Sequence, residues 1–99
     1  MYINVISSSV RDVVAICDDE LLGKVFEEGK VQLNVKENFY AGEKKTREEV
    51  LKLVDFYKKE DATFNVVGEE SVGVLIECGV LKEGGFGEVD GVKFGLVLM

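Results

Sequence analysis

Two apolar, β-branched runs near the start of the chain constrain its fold most. Tyr2–Ser7 and Val13–Cys17 are rich in residue types that favour strands, and Ser7-Ser8-Ser9 between them supplies turn-forming residues. The pattern predicts an antiparallel β-hairpin whose second strand is buried.

Two helices are predicted in the second half of the chain. Thr46-Arg47-Glu48-Glu49 fits the capping box, in which the first and fourth side chains bond each other's backbone N–H groups. The apolar residues that follow on one helical face are Val50, Leu51, Val54 and Tyr57. A second helix is expected to begin at Gly68-Glu69-Glu70 and to end before Gly79, a glycine suited to the left-handed position after a helix.

The remaining segments complete an α+β pattern. Asp18 or Asp19 is expected to cap a short helical turn through Leu22 and as far as Phe26. The other expected elements are a strand at Val31–Lys36, a loop at Asn38–Lys45, and strands at Phe86–Val89 and Val92–Leu98 around the turn Asp90-Gly91. We therefore predict one domain over residues 1–99, with a mixed or antiparallel sheet of about five strands and two main helices.

Composition excludes several classes of function. The net charge is −7, from 19 acidic and 12 basic residues, which disfavours binding of nucleic acid by a broad basic face. The chain has no histidine, so neither a Ser/His/Asp triad nor a histidine-ligated metal can form within it. Its two cysteines are 61 positions apart and match no zinc spacing. No metal site of these kinds and no cofactor is predicted.

The ends of the sequence and its hydropathy bear on location. The apolar run Met1–Ile6 is too short for the apolar region of a signal peptide, and it lacks the basic residues that precede such a region. No segment approaches the roughly 20 apolar residues that span a membrane. We expect a cytoplasmic protein with reduced thiols and without membrane contact.

Three consecutive acids, Asp18, Asp19 and Glu20, follow the predicted second strand and allow two interpretations. One is a structural cap beside solvated acids. The other is a small enzyme that holds a divalent metal with these carboxylates, although adjacent side chains converge poorly on one ion. Cys17 before them is either a buried hydrophobe or a thiol activated by Lys24, and the first fits an apolar strand better.

Two further segments are candidates for contact with a partner. Phe39-Tyr40-Ala41-Gly42 places two aromatics beside the cations Lys44, Lys45 and Arg47. Such rings either stack on a ligand or cover the core beneath the loop, and the cations form either a local patch or a solvated helix end. The second segment places Asn65 just before the predicted helix start at Gly68 and Glu69.

Several segments together resemble an archaeal family of small uncharacterised proteins, domain of unknown function 424. Cys17-Asp18-Asp19-Glu20-Leu21-Leu22-Gly23-Lys24 is similar to its opening signature, Phe39–Glu43 to its aromatic loop, and Asn65–Val72 to its Asn-Leu-Val-Gly block. The resemblance implies an archaeal cytoplasmic protein and points to a role connected with RNA or translation. It assigns no activity to the signature residues Cys17, Asp18, Glu20, Gly23 and Lys24.

The chain departs from that family near its C-terminus. Family members often carry a Pro-His pair after a glycine and an apolar residue, whereas this chain has Gly91-Val92-Lys93-Phe94-Gly95. A role that needs that imidazole is therefore not expected here.

The preferred hypothesis is a non-catalytic module that binds a protein or RNA, and the net acidity favours a protein. The expected contact residues are Phe39, Tyr40, Gly42, Lys44, Lys45, Arg47, Asn65, Gly68 and Glu69. The alternatives are the metal-dependent enzyme and a homodimer in which apolar strand edges pair.

Overall fold

The strands of the chain form one large and one small sheet in a computed structural model that describes residues 1–98. The strands are β1 (Tyr2–Ile6), β2 (Val13–Cys17), β3 (Val25–Glu28), β4 (Val31–Asn34), β5 (Glu43–Lys44), β6 (Thr63–Val67), β7 (Gly87–Val89) and β8 (Val92–Val97). Six of them make a sheet in the order β5-β1-β2-β6-β8-β7, while β3 and β4 form a separate ribbon.

The pairing of the large sheet confirms the expected hairpins and a mixed topology. Strands β1 and β2 are antiparallel, with Tyr2 opposite Cys17, whereas β2 and β6 run parallel, with Ala15 opposite Asn65. The β7–β8 turn has positive φ at both Asp90 (49°) and Gly91 (77°), as the predicted type I′ turn requires. Because β2 and β6 are parallel, their C-terminal ends lie side by side at the same end of the sheet.

Three α-helices connect the strands: α1 (Glu37–Tyr40), α2 (Arg47–Lys59) and α3 (Glu69–Glu77). A short 3-10 turn at Asp19–Leu21 confirms the helical turn predicted directly after Asp18. The predicted capping box begins α2, because Glu49 N donates to Thr46 Oγ1 (3.2 Å) and Thr46 N donates to Glu49 Oε1 (3.0 Å). Glycine at 79 has a φ of +74° just after α3, as predicted. Among residues 1–98, none of the helices is long and apolar enough to cross a membrane.

Each face of the large sheet has its own apolar cluster. On the first face, α2 and α3 cover the main core, in which Val14, Phe64 and Val54 are fully buried. On the second face, α1 and the β3–β4 ribbon cover a smaller cluster that includes Cys17 and Tyr40. The fold is therefore α+β, as predicted, with two main helices on one side of the sheet.

Two local expectations are wrong. Val25 and Phe26 lie in a strand rather than a helical turn, because the ribbon turns at Gly29 (φ +63°) and packs Phe26 on the second cluster. The expected loop at 38–45 contains most of α1 and all of β5. The large sheet has six strands where about five were predicted, and the β3–β4 ribbon lies outside it.

Candidate functional site

Asp18 is a structural cap, although for a different helix from the one expected. Its carboxylate accepts from Glu70 N (3.2 Å), Ser71 N (2.9 Å) and Ser71 Oγ (2.7 Å) at the start of α3. The two parallel strands explain this contact, because Asp18 follows β2 and α3 follows the neighbouring β6. The side chain is 4% exposed, and both of its oxygens are engaged.

Gly68 is required by the same contact. Its φ is +111°, a conformation that residues with a side chain rarely adopt, and a Cβ there would collide with the Asp18 carboxylate. The Gly68 N–H donates to Lys93 O (2.7 Å), which ties the start of α3 to β8. Together Asp18 and Gly68 form a helix-capping pair that joins the opening signature to the Asn65–Val72 segment.

The other two acids of the signature point elsewhere. Asp19 pairs with the amino group of Met1 (2.8 Å) and with Lys44 Nζ (3.3 Å). The hydrogen bond from that amino group, with the nearby Lys44, lowers the pKa of Asp19. Glu20 lines a small cleft of about 180 Å³ together with Glu69 and Lys93. Over residues 1–98, no three Asp, Glu or Cys side chains are grouped as metal ligands would be.

The rest of the signature also has structural contacts. Cys17 is completely buried, and this burial, followed by the charge of Asp18, raises the pKa of its thiol to about 12. A thiol with that pKa stays protonated and is a poor nucleophile. Gly23 has a φ of +82° and its N–H donates to Val35 O (2.7 Å), while Lys24 is exposed and accepts from Val35 N (2.9 Å).

The aromatic pair covers the second cluster. Phe39 and Tyr40 lie edge to face with their ring centres 5.0 Å apart, and both pack against that cluster. Tyr40 is only 7% exposed, and burial raises the pKa of its hydroxyl to about 12. Tyr40 therefore cannot stack on a ligand in this conformation, which agrees with the covering interpretation.

The glycine and the cations that follow the aromatics are held by close contacts. A Cβ at Gly42 would collide with the Ile3 carbonyl oxygen of β1. Lys44 pairs with Asp19, Lys45 Nζ with Glu43 (2.9 Å) and Arg47 with Glu77 (2.7 Å). Each of the three clustered cations thus has an acidic partner, and they do not form an uncompensated basic patch.

Comparison with known proteins settles the family. The family model described as a protein of unknown function (DUF424) matches residues 7–98. This chain belongs to the DUF424 family. The chain is also similar to a crystal structure of an uncharacterized conserved protein from Methanopyrus kandleri, with a TM-score of 0.86 and 24% identity over 99% of this chain and 92% of that one. That likeness shows a shared fold, and no curated protein matches the chain.

The DUF424 chain has one further surface that the sequence did not reveal. It is the part of the second face of the large sheet that neither α1 nor the β3–β4 ribbon covers, and we call it the open half. Strand register places five of its six residues in two adjacent rows across β1, β2, β6 and β8: Ile6, Val13, Thr63, Asn65 and Leu96. The sixth, Leu98, directly follows β8 and continues its alternation after Val97. None of them carries a charge, and Leu96 and Leu98 are 57% and 74% exposed.

The structure separates the predicted contact residues of the DUF424 chain into two groups. Asn65 lies in the open half, and Phe39 borders it, since Asn4 in the same row as Asn65 donates to Phe39 O (2.8 Å). Gly68 and Glu69 lie instead at the end of the sheet where the C-termini of β2 and β6 meet. The period-two alternation of Leu96 and Leu98 with Val97 was the available sequence signal, but alternation alone does not say which face is left uncovered.

Proposed function

We propose that this DUF424 chain is a non-catalytic, cytoplasmic binding module that docks a protein partner on the open half of its sheet. The observation that carries the proposal is the exposure of Leu96 and Leu98 on a surface without charges. Because 31% of the residues in this chain are charged, an uncharged, partly apolar sheet face differs from the rest of the surface and is typical of a protein contact.

The ion pairs of the cations favour a protein over RNA as the partner. Lys44, Lys45 and Arg47 each contact a carboxylate of this chain, and that carboxylate would repel a phosphate brought to the same cation. The open half itself offers only the amide of Asn65 and the hydroxyl of Thr63 as polar side chains. An RNA backbone would find no free positive charge on this surface.

The contacts of the signature residues support a module without catalysis. Asp18 is engaged by three donors, Asp19 by two cations, and Cys17 keeps its proton. The enzyme alternative would require a metal to displace these contacts. It predicts that millimolar MgCl2 or MnCl2 raises the melting temperature, whereas a binding module of the proposed kind is unaffected by either salt.

Two serine variants test the proposal by affinity capture from archaeal lysate. Leu96→Ser removes an exposed apolar side chain from the open half, and Phe56→Ser is the matched control, because Phe56 on α2 is equally exposed at 56%. We expect Leu96→Ser to lower the yield of one captured protein about tenfold and Phe56→Ser to leave it unchanged. Equal capture by both variants, or capture that ribonuclease abolishes, would refute docking of a protein on the open half.

A further inference from the structure

The outer edge of β1 presents unpaired backbone groups. Met1 and Lys45 exchange two hydrogen bonds, Met1 N to Lys45 O (3.2 Å) and Lys45 N to Met1 O (2.9 Å). Because every second residue of a strand directs its N–H and C=O to the same side, those of Ile3 and Val5 also face outward. The backbone N–H and C=O groups of Asn4 and Ile6 face β2.

Strand β5 is too short to cover this whole edge. It pairs with β1 only at Tyr2 and Ile3, and Gly42 leads the chain away from the edge toward α1. Within residues 1–98, Val5 makes no backbone hydrogen bond on its outer side. Its N–H and C=O are thus a donor and an acceptor arranged for one more strand.

A cleft of about 390 Å³ opens beside these groups. Asn4 and Val5, whose side chains lie on opposite faces of β1, both line it, so the cleft lies along the strand edge. Leu53 and Tyr57 of α2 form its apolar wall. The charges at its rim, Glu43 and Lys45, form an ion pair at 2.9 Å and cancel each other.

We propose that an extended segment of a partner protein pairs with β1 at Val5 and inserts one uncharged, apolar side chain into this cleft. The proposal rests on the proposed protein-binding function and gives the same partner a second contact, at the edge of β1, the strand that carries Ile6 of the open half. An extended backbone is the ligand that satisfies a strand's N–H and C=O together. The neutral rim and the apolar wall select an uncharged side chain.

A second copy of the chain fits this edge less well. Two β1 edges that pair antiparallel about Val5 overlap only from Asn4 to Ile6, because β5 already occupies the edge beside Ile3 in each copy. The residues after Ile6 of one copy would then meet β5 of the other. Each copy also carries a net charge of −7, which opposes association.

Hydrogen exchange and a peptide library test the proposal. Without a ligand, the Val5 amide should exchange at least about tenfold faster than those of Asn4 and Ile6, which are bonded to β2. The probe is a display library of random linear 12-residue peptides, followed by binding measurements on the most enriched peptide. We expect that peptide to slow exchange at Val5.

The enriched peptide is then methylated at successive backbone nitrogens. Methylation should weaken binding about tenfold at alternate positions, whose N–H groups face β1, and by less than about twofold at the positions between them. On the protein, Val5→Pro removes the outward N–H without breaking the β1–β2 ladder. Glu88→Pro is the matched control, because the register of β7 with β8 directs the Glu88 N–H outward at the opposite edge of the sheet.

The proposal predicts that Val5→Pro weakens the peptide about tenfold and that Glu88→Pro leaves its affinity unchanged. It is overturned if no peptide is enriched, if methylation shows no alternation, or if light scattering finds a dimer that Val5→Pro dissociates. If the lysate protein binds the Val5→Pro variant as tightly as the wild type, edge pairing fails while the binding module stands. The methylation series needs no variant protein, so it decides the question even if Val5→Pro does not fold.

Discussion

Replacing Asp18 by alanine should be one of the most damaging single changes in this chain. The Asp18 carboxylate caps α3 through two backbone N–H groups and accepts the hydroxyl of Ser71, which is completely buried. Loss of a helix cap costs about 1 kcal/mol, and a buried hydroxyl left without an acceptor costs about 1–3 kcal/mol. We therefore expect Asp18→Ala to lower the free energy of unfolding by about 3 kcal/mol.

Urea denaturation followed by circular dichroism measures this loss. At a denaturant slope of about 1.5 kcal/mol per molar, the midpoint should fall by about 2 M. A double-mutant cycle with Gly68→Ala sharpens the test, because the added Cβ collides with the Asp18 carboxylate and the collision disappears in Asp18→Ala. The double variant should be more stable than additivity predicts by at least about 1 kcal/mol. A loss below about 1 kcal/mol for Asp18→Ala, or strict additivity in the cycle, would refute the capping role.

Three further outcomes are expected. In a Cys78→Ser variant at pH 8, Cys17 should not react with Ellman's reagent until the protein unfolds, because its thiol is buried and its pKa is about 12; rapid reaction would contradict this. Because the pKa of Asp19 is lowered in the fold, its ion pairs stabilise the protein above the unfolded pKa of about 4. The free energy of unfolding of the wild type should exceed that of Asp19→Asn by less than about 1 kcal/mol at pH 6, and this difference should vanish near pH 2. A difference that grows toward pH 2 would contradict a stabilising role of the Asp19 ion pairs. Gly42→Ala should lower the free energy of unfolding, measured by urea denaturation, by about 1–3 kcal/mol, because its Cβ would collide with the Ile3 carbonyl oxygen. An unchanged free energy of unfolding would contradict that close contact.

Local patterns were sufficient for the elements whose signals lie in consecutive residues. The capping box at Thr46, the turn at Asp90-Gly91 and the apolar strand Val13–Cys17 all have the structures that their sequences predict. Each of these depends on hydrogen bonds or burial periods within a few residues. The hairpin of β1 and β2 follows from the short connection between two strong strand signals.

The remaining features depend on contacts between distant segments. Asp18 was expected to cap the turn beside it, but its partners are 52 and 53 residues away and become neighbours only because β2 and β6 pair in parallel. The ribbon β3–β4 is a local hairpin, but its place on the sheet depends on the packing of the partly buried Phe26 against the second cluster. No local pattern in a single sequence contains the β2–β6 pairing or the packing of the ribbon on the sheet.

The candidate site shows the same division. The aromatic and basic residues at 39–47 suggested a contact loop, because composition shows that rings and cations are near one another but not what they touch. In the fold Tyr40 is covered and the cations are ion-paired, whereas Leu96 and Leu98 are exposed. Which side of a strand is left uncovered is decided by where α1 and the ribbon pack, and the sequence of β8 alone does not contain that information.

Site-specific photo-crosslinking tests the central claim most directly. A photoreactive phenylalanine analogue is placed at position 96, in the open half, or at position 56, on the equally exposed control surface of α2. The account predicts that illumination in archaeal lysate joins position 96 to one protein, in a ribonuclease-resistant product that position 56 does not form. Crosslinking to RNA at position 96, or the same products from both positions, would contradict it.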